Sequence, residues 1–371
     1  MLGVILAAPF FFLFTFLRKR KREKNKPLRI LIIPQLTRIG DVVCATPLFR
    51  EIKKAYPESF LAVLTTAKIE GIIRSNPHID EFIIYRSSDL SGLFRRIREL
   101  YFDWSFILPV SPFGILVSVA GLIPNRVKLV RRPRPPSEIC TDWLSHFRFR
   151  YHHHTSVPRA YLQLLRYIRI YDPDEKKEVY TLPHAEEKAR RLFRDWGVGR
   201  GDTVVGISIV SGNTVKEWGD EKWKELARRI AKTYNAKILF LGTRRDEGRI
   251  DALRNSLGDD SVFLKEIDSS LEELPSLIKK LSLYIAVDTG PIYIAHALGI
   301  PLVDIIGPVD SKEQPPEDEK SIQVLPLAME PSSFVFKKSG SVEKRKAAVD
   351  AISVEQVMDA VDEMMKKLEK S

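Results

Sequence analysis

Residues 283–299 read LYIAVDTGPIYIAHALG. The run opens as an uninterrupted apolar strand, LYIAVDTG (283–290). It closes on Asp288-Thr289-Gly290-Pro291, and Pro291 suits the first turn of a helix. An apolar helix over 291–299 follows, then a second strand, PLVDIIG (301–307). Two strands joined through a helix form a parallel βαβ unit.

The same alternation extends in both directions. Upstream lie the strands TVVGISIV (203–210), KILFLGT (237–243) and SVFL (261–264), separated by helices at 184–196, 220–234, 246–257 and 270–281. Gly197 reads as the C′ residue that ends the first of these helices. Nearer the N-terminus a separate series appears: RILIIP (29–34), LAVLTT (61–66), FIIY (82–85) and WSFILPV (104–110), with helices such as 42–56 and 90–100. Thr46-Pro47 reads as a cap and first-turn proline inside the first of these, which blurs its boundary. Region 111–178 lacks the pattern. It holds a basic, proline-rich loop, 124–136, and a helix over 157–171. Residues 311–351 read as polar loop. The last helix, 354–369, starts on the capping box Ser353–Gln356 and carries one apolar face. The expected fold is α/β, with two doubly wound Rossmann-like domains facing a cleft. Boundaries fall at 1–26, 27–178, 179–340 and 341–371, and the final helix is expected to pack back on the N-terminal domain.

The chain has 371 residues and a net charge of +11. Residues 18–26, RKRKREKNK, supply +6 of that, which leaves +5 for everything else. The basic balance is largely a local feature and only a weak argument for a nucleic-acid binder, and no nucleic-acid partner is expected. Two cysteines fit a reducing compartment. Residues 2–17, LGVILAAPFFFLFTFL, are uncharged. As a helix they span about 24 Å, short of the roughly 30 Å hydrocarbon core. Cations follow this run rather than precede it, which disfavours a cleaved signal peptide. Residues 1–26 are therefore expected to attach the protein to the cytoplasmic face of the inner membrane.

The P-loop, H-E-x-x-H, C-x-x-C and G-x-S-x-G motifs are absent. Gly197, Gly199 and Gly201 sit before a strand rather than after one and read as loop glycines. Asp172-Pro173-Asp174 reads as linker, and His152–His154 as a poor metal set, because adjacent side chains diverge.

Four constellations follow strands. Arg38-Ile39-Gly40-Asp41 places a carboxylate near a helix start. On chemistry alone, Asp41 reads equally as a general base or as a helix N-cap. Ser211-Gly212-Asn213-Thr214-Val215-Lys216-Glu217-Trp218 reads as a phosphate loop with a cation, or as an ordinary polar turn. Asp288-Thr289-Gly290-Pro291 opens a helix whose N-terminus suits a diphosphate. Gly242 to Glu247 offers a carboxylate for ribose hydroxyls, or an acidic first helical turn.

At these residues the chain resembles glycosyltransferase family 9, the ADP-heptose:lipopolysaccharide heptosyltransferases. The similarity rests on R-x-G-D (Arg38, Gly40, Asp41), K-x-W (Lys216, Trp218), DTGPIYIAHALG (288–299), IIGPVD (305–310) and the closing AVDAISVEQVMDAV, in that order. The resemblance implies a GT-B fold and an inverting transfer from a nucleotide-activated sugar, with no required metal and no cofactor. It aligns the catalytic base with Asp41. Donor contacts align with Ser211, Gly212, Lys216, Asp288, Thr289 and Gly290, and a ribose-binding carboxylate aligns near Glu247. Three departures stand out. Tyr293 replaces the family's His, with His296 one turn further on. Gly219 replaces a proline after the tryptophan. A cysteine-bearing stretch near the C-terminus is missing.

The expected activity is transfer of a heptose-like sugar from a nucleotide diphosphate, ADP favoured, to a lipid-linked or cell-surface glycan. Asp41 takes the acceptor proton, while Lys216 steadies the leaving diphosphate, with Gly40 and Asn213 beside them and Gly242 beside the ribose. Arg38, Arg126, Arg131 and Arg132 would meet an anionic acceptor. The alternatives are a GT-B enzyme using a UDP-sugar, and a silent membrane-tethered protein that only binds sugar nucleotides.

Overall fold

A computed structural model describes residues 26–109, 112–131, 136–326 and 341–369. The chain divides into two compact units, Met1–Lys177 and Glu178–Ser371.

The first unit is built on six parallel strands: β1 (Arg29–Ile33), β2 (Phe60–Thr65), β3 (Glu81–Ile84), β4 (Trp104–Ile107), β5 (Asn125–Val130) and β6 (Phe147–Arg150). Their spatial order is β3-β2-β1-β4-β5-β6. The helices are α1 (Ile39–Ala55), α2 (Ala67–Ile73), α3 (Leu90–Glu99), α4 (Pro112–Ala120), α5 (Pro136–Asp142) and α6 (Val157–Leu162). One face of the sheet, with Leu31, Ile33, Ala62, Leu64 and Ile107, packs on Leu93 and Ile97 of α3 and Ile115 of α4.

Three local expectations change here. Helix α1 begins at Ile39 and runs through Pro47. Pro47 has no N–H for the carbonyl of Val43, and the Thr46 hydroxyl donates to that carbonyl instead, at 2.8 Å. The expected loop 124–136 contains β5, a strand hidden from sequence reading because two of its buried residues are Arg126 and Lys128. The expected helix 157–171 stops at Leu162 and tightens into a 3-10 turn, Gln163–Ile168, which closes on Arg169 at φ 64°.

The second unit opens with α7 (Pro183–Asp195), which ends at Gly197 with φ 64°. Its strands are β7 (Val204–Ser208), β8 (Lys237–Leu241), β9 (Phe263–Glu266), β10 (Leu283–Val287), β11 (Leu302–Ile305) and β12 (Ser321–Val324). Its further helices are α8 (Asp220–Tyr234), α9 (Glu247–Leu257), α10 (Leu274–Ile278), α11 (Gly290–Ala297), α12 (Val342–Asp350) and α13 (Val354–Glu369). The strand order is β12-β11-β10-β7-β8-β9, all parallel. Numbered within the unit, this is the order 3-2-1-4-5-6 of the first sheet. Both units are thus Rossmann-type sheets.

Segment 311–351 is less irregular than its polar composition suggests, because it supplies β12 and α12. The final helix departs from its expected place. Val354, Val357, Met358, Val361, Met364 and Met365 enter the core of the second unit, beside Trp218, Val303, Ile305 and Val324. Burial of each such side chain stabilises by about 1.5–3 kcal/mol, so the apolar stripe fixes where this helix docks. Its start is a reciprocal capping box. The Ser353 N–H donates to Gln356 Oε1 at 2.8 Å, and the Gln356 N–H donates to Ser353 Oγ at 3.2 Å.

Candidate functional site

Sheets of this order bind ligands beyond the C-terminal ends of their strands, at the point where the order reverses. In the first unit that point lies between β1 and β4, and in the second between β7 and β10. Three of the four motifs singled out from sequence follow β1, β7 and β10 at these places, and the fourth, Gly242–Glu247, follows β8.

The loop after β1 leads into α1. Its N-cap is Arg38, at φ −122° and with no side-chain cap. Asp41 is the third residue of the helix, so it is not the N-cap but an acidic residue of the first turn. It is only 2 % exposed. Gly40 is buried beside it, and Arg38 is exposed. Tyr161 of α6 is buried close to Asp41, Cys44 and Tyr151. Burial, with the negative charge of Asp41 added, pushes its hydroxyl well above the ordinary tyrosine range.

The loop after β7 is shaped by its own side chains. Ser211 Oγ accepts from the Asn213 N–H at 3.3 Å, and Asn213 Oδ1 accepts from the Val215 N–H at 3.3 Å. Asn213 thereby caps the 3-10 turn Thr214–Lys216. Gly212 faces open space. Glu217 closes the loop. Its Oε1 accepts from the Ser211 N–H at 3.4 Å, and its Oε2 takes Arg249 Nη1 at 2.7 Å. Arg249 also reaches Asp220 through Nε at 2.8 Å. From behind, Lys346 of α12 donates to the Glu217 carbonyl at 3.1 Å, and the buried indole of Trp218 donates to the Ile352 carbonyl at 2.9 Å. Gly219 has φ −64°, a value proline also adopts, so this departure leaves the backbone path unchanged.

The loop after β10 brings Asp288 to the same place. Lys216 Nζ forms an ion pair with Asp288 Oδ2 and also donates to the Asp288 carbonyl at 3.3 Å. The Tyr293 hydroxyl donates to Asp288 Oδ1 at 2.7 Å. Asp288 is 4 % exposed. Thr289 is the N-cap of α11 and makes no side-chain cap, and Gly290 is the first helical residue. His296 does not join this group. Its Nε2 lies 3.1 Å from Asp318 Oδ2.

Gly242 has a packing role, since a Cβ there would meet Ile250 Cδ1 at 2.5 Å. Glu247 opens α9, half-exposed, with Lys265 Nζ 3.4 Å away. The basic set expected to meet an acceptor separates into different roles. Arg126 is fully buried, and its Nε donates to the Leu144 carbonyl at 2.7 Å. Burial lowers its guanidinium to about 10. It therefore ties together the backbone around α5 and presents no surface charge. Arg131 is engaged by Glu138 at 2.8 Å, and Arg132 lies outside the described residues. Among the described residues, no group of three or more His, Cys, Asp or Glu side chains is arranged to hold a metal ion. No described helix is long and apolar enough to cross a membrane. Of the expected attachment segment, 1–26, all but Lys26 lies outside the described residues.

Sequence reading missed Arg249 and Lys346, and it placed Glu217 in the loop after β7 without giving it a role. Their contacts join residues far apart in the chain, and no local pattern marks them. Tyr293 was visible only as a departure, and its hydrogen bond to Asp288 gives it a place in the site.

Comparison with known proteins bears on the family and the fold. A family model described as glycosyltransferase family 9 (heptosyltransferase) matches residues 136–344. Lipopolysaccharide heptosyltransferase 2 of Salmonella typhimurium is 21 % identical over 317 residues, covering 79 % of this chain and 87 % of that protein. A solved family 9 glycosyltransferase from Veillonella parvula superposes with a TM-score of 0.75 at 19 % identity, covering 92 % of this chain and 97 % of that one. The ADP-heptose lipopolysaccharide heptosyltransferase II of E. coli superposes with a TM-score of 0.73 at 17 % identity, covering 92 % and 100 %. At these identities the structural matches speak to the fold.

Proposed function

Because the chain belongs to glycosyltransferase family 9, we propose that it moves a heptose-like sugar from an ADP-sugar to a hydroxyl of a lipid-linked glycan in lipopolysaccharide biosynthesis. The carrying observation is the convergence of two strand-end loops 72 residues apart, which brings Lys216 to the start of α11. That arrangement offers an ammonium and the positive end of the helix at Gly290 to a diphosphate. The Salmonella and E. coli relatives are heptosyltransferases, and the E. coli one takes ADP-heptose, which supports heptose and ADP here.

In this reading the transfer is a direct displacement with inversion and uses no metal. Asp41 removes the acceptor proton as the new bond to the anomeric carbon forms. General-base assistance of this kind contributes roughly 10²–10⁴-fold. As the bond to the diphosphate breaks, negative charge grows on the leaving oxygens. Lys216 and the α11 N-terminus stabilise that charge more in the transition state than before it. Glu247 serves the ribose. Arg38 and the exposed Arg148 and Arg150 are suited to an anionic acceptor. Residues 1–26 would hold the enzyme at the cytoplasmic membrane face, where a lipid-linked acceptor resides.

The test is Asp41→Asn assayed with ADP-heptose and a heptose-deficient lipopolysaccharide acceptor. ADP affinity stays at the wild-type value, while turnover falls by about 10²-fold or more. Near wild-type turnover would remove Asp41 from the reaction. Comparing ADP with UDP by calorimetry decides the nucleotide, and tighter UDP binding would replace the donor assignment.

A further inference from the structure

We infer that Asp288, steadied by Tyr293, is an internal counter-ion: Lys216 leaves it when a nucleoside diphosphate binds and returns to it when the nucleotide departs. This rests on the donor reading above and goes further, because it gives Asp288 an effect on affinity opposite to that of a donor contact.

A carboxylate beside a diphosphate site needs a physical reason. Asp288 ends β10 immediately before α11, where the helix N-terminus attracts anions, and it is almost wholly buried. A buried carboxylate is tolerable only when paired. Lys216 provides the pair at Oδ2, from a side chain still 18 % exposed and therefore within reach of a ligand. An incoming diphosphate competes with Asp288 for this ammonium. The contest is close because both anions are served by the same cation at the same helix end.

Tyr293 sets how easily Lys216 lets go. Its hydroxyl is held on α11, 3 % exposed, and donates to Asp288 Oδ1 at 2.7 Å. When Lys216 turns to the ligand, this hydrogen bond remains and keeps the carboxylate partly satisfied. A tyrosine does this without adding positive charge, so Asp288 keeps the charge that draws Lys216 back. Recapture of Lys216 then helps to expel the nucleotide product.

Two substitutions move ADP affinity in opposite directions. Asp288→Asn removes the competing anion, so ADP binds about five- to tenfold more tightly and dissociates more slowly. Tyr293→Phe leaves the carboxylate dependent on Lys216, so ADP binds about five- to tenfold more weakly. In the double variant the tyrosine effect vanishes, because the group it serves is gone. Calorimetry with ADP on the full chain reads all three, and stopped-flow displacement reads the release rate. An Asp288→Asn variant that binds ADP no more tightly than wild type overturns the counter-ion, as does any result in which both single variants shift the same way. If Asp288→Asn fails to fold, Tyr293→Phe alone decides: weaker ADP binding upholds the inference, and unchanged or tighter binding overturns it. Wild-type protein that binds neither ADP nor UDP overturns the donor reading itself, a result separate from any difference among variants.

Discussion

Lys128→Met tests whether the buried basic residues of β5 serve the fold or the substrate. Lys128 Nζ lies 2.7 Å from Asp142 Oδ1, with side chains 1 % and 2 % exposed. At that separation the attraction is about 6 kcal/mol for an effective dielectric of 20. Desolvation of the two ions cancels most of it, so the pair adds little net stability. Removing one member is another matter, because Asp142 is then buried without its cation. The single variant should lose about 3–5 kcal/mol of stability. Lys128→Met with Asp142→Leu should recover most of that loss, since a well-packed apolar pair replaces both charges at once. Urea unfolding read by circular dichroism measures the stability, and transfer to the lipopolysaccharide acceptor measures activity at a temperature where every variant is folded. The double variant should then transfer sugar at close to the wild-type rate. A single variant that keeps its stability while acceptor KM rises tenfold would refute this reasoning and assign Lys128 to the substrate.

Two further expectations concern the second unit. Trp218→Phe deletes the indole hydrogen bond to the Ile352 carbonyl, which also receives Lys222 at 2.8 Å. Stability should fall by about 1–2 kcal/mol and ADP binding should weaken as the Lys216 loop loosens; unchanged binding would show that the backing of this loop does not reach the ligand. Asp318→Asn removes the partner of His296, which holds the Asp318 carboxyl well below its ordinary range. A depressed carboxylate lends stability above the unfolded value and loses it as pH falls. The wild-type advantage, about 0.5–1 kcal/mol near pH 6 for this half-exposed pair, should therefore shrink below about pH 4; a gap that widens there would reverse the assignment.

Sequence alone determined the two βα series, most strand and helix positions, and the strand-end location of Asp41, Lys216 and Asp288. These are local properties. An apolar run of strand length, a Pro in a first turn and a capping box at Ser353 each act over a few residues, and the structure keeps them. Strand β5 escaped because periodicity presumes that charge faces water. Only the fold supplies the carbonyls and the Asp142 carboxylate that let Arg126 and Lys128 be buried. The destination of α13 escaped for a related reason. An apolar stripe announces that a helix packs, but not against which sheet; the match with Trp218, Val303 and Ile305 is a tertiary fact. The same holds at the site. Lys216, Asp288 and Tyr293 were each visible as residues, but their shared hydrogen bonds depend on β7 and β10 lying side by side. That adjacency follows from strand order, which chain sequence encodes only through the packing of the whole sheet.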